Sequence, residues 1–145
     1  MIRSPLLLAL LAGGCIDAFD PQVGAPLSQR CVDEDSDPST DVRYTQVIEI
    51  FDEYCFGCHT PDGRAPIGIE VGGLDLSTYD TLRAGGAVGR ADIVVTARPC
   101  SSVLIQKLLP APPFGARMPL NGPPYVDEDE IQILADWVAE GARRE

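Results

Sequence analysis

The chain has 145 residues, 45% of them hydrophobic and 23% charged, with 22 Asp and Glu against 11 Lys and Arg and a net charge of −11. That length suits one domain with a single core, and the acidic balance excludes a nucleic-acid partner, because a phosphate backbone needs clustered Lys and Arg to displace its counterions. One histidine, His59, excludes any site needing two imidazoles of this chain, while fourteen Gly and thirteen Pro restrict helices to short segments between turn-rich connections.

Residues 1–14 read as a lipoprotein-type signal peptide. Arg3 supplies the positive start, and residues 6–12 (LLLALLA) form an apolar stretch too short to span a bilayer comfortably. The stretch runs into Leu11-Ala12-Gly13-Gly14-Cys15, small residues directly before a cysteine, a pattern that resembles a lipobox in which Cys15 carries the lipid anchor. The alternative is an ordinary secretory signal. Both place the mature chain outside the cytoplasm, on the periplasmic side of a bacterial membrane, where disulfides persist. Residues 15–40 then read as an acidic tether with Asp17, Asp20, Asp33, Glu34, Asp35 and Asp37 interleaved with Pro21, Pro26 and Pro38. Some 25 flexible residues reach roughly 25–30 Å, enough to hold a domain clear of a membrane surface.

The domain itself is expected over 41–145 and to be all-α. Val47, Ile50, Phe51 and Tyr54 make an apolar stripe at helical spacing, predicting a helix over 41–54 capped by Ser39, Thr40 or Asp41. Ser77 is placed to cap a short helix over 78–84 stopped by Gly85-Gly86, and Ser101 another over 102–109 stopped by Pro110. Ile93-Val94-Val95 suits a short extended segment. The clearest helix comes last: Asp127 with Glu130 three residues on is an Asp form of the capping box, Ile131, Leu134, Ala135 and Val138 make the stripe, Trp137 widens it, and Gly141 occupies a C′ position.

Chemistry concentrates in Cys55-Phe56-Gly57-Cys58-His59. Two cysteines three apart can add their thiols across the two vinyl groups of one haem, and a histidine directly after them can ligate the iron through Nε2: the c-type haem attachment signature. CxxC also serves zinc sites and thiol–disulfide exchange. Zinc needs four ligands, and no second CxxC or histidine supplies them; a thioredoxin-type dithiol wants a βαβ setting, and none is legible.

If Cys15 takes lipid and Cys55 and Cys58 take haem, Cys31 and Cys100 remain, an even remainder that in an exported protein predicts a disulfide; two free, partly buried thiols are the alternative. A second axial ligand follows by elimination. With Met1 gone, Met118 is the sole methionine, in Arg117-Met118-Pro119 just before a Pro/Gly-rich stretch and the last helix. A lone methionine is otherwise ordinary core filler. Thioether ligation raises the reduction potential and fills the position where O₂ or peroxide would bind.

Taken together, CFGCH at 55–59, GGLDLSTYDTLRAGG at 72–86, SSVLIQKL at 101–108, RMP at 117–119 and EIQILADWVAEGA at 130–142 resemble a class I-type cytochrome c, closest to the cytochrome c domains of planctomycete and related bacterial secreted proteins. The resemblance spans about residues 44–145, in order. It implies first and last helices crossing beside a covalently bound haem c, with Phe51 and Tyr54 meeting Trp137 and with His59 and Met118 gripping the iron from opposite faces. The tether has no counterpart in that pattern, nor is there an additional catalytic domain.

The expectation is a non-enzyme that carries single electrons between membrane or periplasmic redox partners. Its acidic surface favours electropositive docking partners and salt-sensitive association. A peroxidase or gas-binding centre with a labile Met118, or a haem subunit fixed to a larger secreted oxidoreductase, are the competing readings. Among lesser candidates, Pro61 or Pro66, with Pro66 preferred, is expected to present its carbonyl to His59 Nδ1–H. Arg64, Arg98 and Arg117 are candidates for a propionate, and Tyr79 and Leu82 for the haem-facing core.

Overall fold

The computed structural model describes residues 31–87 and 89–145. The signal peptide, Cys15 and most of the tether lie outside them. The described residues fold into six α-helices with no strand: α1 Tyr44–Tyr54, α2 Phe56–His59, α3 Ile67–Glu70, α4 Tyr79–Ala84, α5 Val103–Leu108 and α6 Glu128–Ala139, with two 3₁₀ turns, Arg90–Ile93 and Pro99–Ser101, before α5. None of these helices is long and apolar enough to cross a membrane.

α1 and α6 pack together and supply half of the buried apolar side chains among the described residues. Val47, Ile50 and Phe51 of α1 are buried, as are Ile131, Leu134, Ala135, Trp137 and Val138 of α6. Burying such side chains stabilises a fold by roughly 1.5–3 kcal/mol each. The predicted stripes therefore hold; Tyr54 alone is only half-buried. The aromatic neighbour of Trp137 differs from expectation. It is Tyr44, at the start of α1, at 5.6 Å between ring centroids, whereas Phe51 meets Phe56 at 6.4 Å. Desolvation pushes the Tyr54 phenol up to about 12, with the carboxylate of Glu130, in the first turn of α6, next in weight.

Capping follows backbone position more closely than residue type. Asp127 caps α6 as expected: the Glu130 amide donates to Asp127 Oδ1 at 2.8 Å and the Asp127 amide to Glu130 Oε2 at 3.2 Å. Gly141 follows the cap residue with φ 108°, a conformation that a side chain disfavours. Thr78 rather than Ser77 caps α4, accepting from the Thr81 amide at 3.1 Å. Arg43 precedes α1, and its amide donates to Gln46 Oε1 at 3.0 Å. Ser102 rather than Ser101 precedes α5, but its hydroxyl serves the interior. It accepts from the Val95 amide at 2.9 Å and donates to the Arg98 carbonyl at 3.0 Å, so a fully buried serine ties both 3₁₀ turns to the helix. Ile93 closes the first of those turns and Val94 is extended, but no strand forms over 93–95.

Residues 31–42, largely expected as tether, are strapped across α6. Cys31 and Cys100 form a disulfide with Cα atoms 5.3 Å apart, as the cysteine arithmetic predicts. Asp33 Oδ1 accepts from the Cys100 amide at 2.9 Å, and the Val42 amide donates to Glu140 Oε2 at 2.7 Å.

Candidate functional site

Cys55 ends α1 and begins α2, so the pentapeptide 55–59 winds as one turn. The Cys58 and His59 amides both donate to the Cys55 carbonyl, at 3.0 and 2.9 Å. That turn brings the two thiols and the imidazole onto one short element. Both cysteines are free and half-buried. Desolvation pushes the Cys55 thiol up to about 12, and the nearby Cys58 adds to the shift. A thiol so held is protonated at neutral pH, the opposite of the low-pKa cysteine that drives thiol–disulfide exchange. Zinc fares no better as a reading: among the described residues, no three His, Cys, Asp or Glu side chains gather as a metal site.

The loop after α2 folds back over His59. His59 Nδ1 lies 3.0 Å from the Leu74 carbonyl oxygen. A carbonyl only accepts, so Nδ1 carries the proton and Nε2 is left with its lone pair. The acceptor is therefore neither Pro66 nor Pro61. Pro66 instead stands before α3, where its carbonyl accepts from the Ile69 and Glu70 amides at 3.0 Å each. The Leu76 amide donates to the His59 carbonyl at 2.8 Å, locking the loop at a second point. Gly68 of α3 abuts the ring itself. A Cβ there would collide with His59 Cε1 and Nδ1, and would sit 2.7 Å from the Cys58 carbonyl oxygen.

Met118 lies between α5 and α6. Its amide donates to the Lys107 carbonyl at the end of α5, at 2.8 Å, and its side chain packs, half-buried, against the same core that Cys55, Phe56 and Leu74 touch. The arginine before it is committed elsewhere. Arg117 Nε donates to the Leu108 carbonyl at 2.8 Å while the guanidinium lies 4.2 Å from the Tyr125 ring centroid. Arg64 and Arg98 are exposed. Tyr79 belongs to the helix crossing: its hydroxyl donates to the Ala142 carbonyl at 2.8 Å and its ring stands edge-on to Tyr44.

Leu74 and Gly68 are the two contributors that sequence reasoning missed. A backbone carbonyl leaves no mark in a sequence, and a single glycine between isoleucines reads as an interruption rather than a contact. No family model, no curated protein and no solved structure matches this chain.

Proposed function

We propose that this chain is an exported monohaem c-type cytochrome, anchored through a lipid on Cys15, that carries single electrons between redox partners without making or breaking substrate bonds. The observation that carries the reading is the His59 imidazole: it sits directly after two free cysteines on one helical turn, with Nδ1–H committed to the Leu74 carbonyl and Nε2 available. Among metal-ligating histidines, a hydrogen bond from the second ring nitrogen fixes the tautomer and raises the donor strength of the first.

The donor set fits haem c. Cys55 and Cys58 would hold it by thioether bonds, and His59 Nε2 and the Met118 thioether would ligate its iron. The bound haem would supply a one-electron Fe(III)/Fe(II) couple. The residues around it have simpler tasks. Leu74 keeps the imidazole proton on Nδ1, Leu76 and Gly68 hold the loop closed over the ring, and the α1–α6 core gives the first turn of the site a rigid base.

The test is maturation of the full chain in cells that attach c-type haem, followed by a haem-stained denaturing gel and an optical spectrum. Covalent haem is expected, with a weak far-red band from Met-ligated ferric iron that disappears in Met118→Ala. Haem without that band would move the function towards ligand binding or catalysis. No covalent haem, while a control cytochrome matures in the same cells, would overturn the proposal.

A further inference from the structure

We propose that Gly68 is a positioning residue for the His59 imidazole, holding the ring at the angle from which Nδ1–H reaches Leu74; this rests on His59 being a haem ligand. Three contacts close a circuit. The Gly68 α-carbon lies against the ring at Cε1 and Nδ1, the Gly68 carbonyl accepts from the Leu74 amide at 3.2 Å, and the Leu74 carbonyl accepts from His59 Nδ1 at 3.0 Å. One residue thus sets both the wall beside the imidazole and the place of its hydrogen-bond acceptor. The neighbouring turn is equally tight, since a Cβ on Gly72 would stand 2.7 Å from the Gly68 carbonyl oxygen.

The glycine is required for space and not for backbone freedom. Gly68 lies inside α3 and is absent from the positive-φ glycines, so alanine adopts its conformation readily and is the better helix former. Ile67 and Glu70 of that turn are exposed, as is Val71 just after it, at 83%. Substituting alanine at 68 therefore presses on the His59 ring and on the Cys58 carbonyl oxygen beside it. Moved away from Leu74, the imidazole loses its Nδ1–H bond and becomes a weaker donor. Ferric iron, which gains most from a strong donor, is then less stabilised and the reduction potential rises.

The experiment uses the haem-matured full chain as wild type, Gly68→Ala and Val71→Ala. Val71 is the control, because it follows α3 directly, lies outside the CxxCH turn and is exposed to solvent. Redox titration gives the potential, and proton NMR of the ferrous form gives the ring, whose signals are unambiguous because the chain has one histidine. In the wild type a slowly exchanging Nδ1–H with nuclear Overhauser contacts to the Gly68 α-protons is expected. Gly68→Ala should shift the potential upward and speed Nδ1–H exchange, and Val71→Ala should do neither. Wild-type potential and exchange in Gly68→Ala would overturn the proposal, as would absence of the wild-type Overhauser contact. That contact also decides the matter if Gly68→Ala yields no holoprotein. Failure of the wild type itself to take covalent haem would instead overturn the ligand reading of His59, and the haem stain tells the two failures apart.

Discussion

Ser36 and Asp136 stand 100 residues apart in the chain and are joined by two hydrogen bonds: the Ser36 amide donates to Oδ1 at 2.9 Å and the Ser36 hydroxyl to Oδ2 at 2.5 Å. Gln132 Nε2 adds a third donor at 2.9 Å. Asp136 is only 7% exposed, so without these partners the buried carboxylate would destabilise the fold. The acidic segment before α1 is thus part of the domain. It satisfies a polar group on the otherwise apolar side of α6, while the disulfide at Cys31 fixes its far end.

Removing that disulfide should lower stability more than any single hydrogen bond of the strap. Cys31 and Cys100 are separated by 69 residues, and chain entropy alone puts the contribution of such a loop at about 4 kcal/mol. Cys31→Ser with Cys100→Ser should show a lower urea midpoint than wild type and become insensitive to reductant. An unchanged midpoint would mean that the polar contacts of residues 33–42 hold the strap alone.

Glu140 should oppose folding at neutral pH. One of its carboxylate oxygens, Oε1, is buried without a partner among the described residues, and desolvation raises the pKa of the group, with Asp35, Asp41 and Asp136 adding repulsion. Between the ordinary value of 4.5 and the raised one, the folded chain keeps a proton that the unfolded chain has lost. Stability therefore falls as pH rises through that window and the penalty is complete above it. Glu140→Gln keeps an oxygen for the Val42 amide and carries no charge. Urea midpoints should favour the variant at pH 7, with this electrostatic difference disappearing below pH 4.5. A less stable variant at pH 7 would sink the argument.

Two tyrosines in contact should respond oppositely to loss of their hydroxyls. The Tyr44 hydroxyl is buried with no hydrogen-bond partner among the described residues, whereas that of Tyr79 donates to the Ala142 carbonyl. Their rings meet at 5.2 Å, an edge-on contact that phenylalanine preserves. Tyr44→Phe should leave stability unchanged or raise it by about 1 kcal/mol, and Tyr79→Phe should lower it by about 1 kcal/mol. Thermal melts of both variants decide, and a destabilised Tyr44→Phe would reveal an unseen partner for that hydroxyl.

The sequence by itself determined the helical stripes of α1 and α6, the Asp127 cap, the Cys31–Cys100 pairing and the CxxCH turn. The pairing follows from counting cysteines, and the others depend on side-chain type at a fixed spacing, which a linear reading preserves. Tertiary structure alone decided that Tyr44 packs against Trp137, that residues 31–42 belong to the domain, that the Ser102 hydroxyl turns inward, and that Leu74 and Gly68 hold the His59 ring. The first two depend on how distant segments come together. The last two depend on backbone carbonyls and on the space left by a missing side chain, and neither carries a signature in the order of the residues.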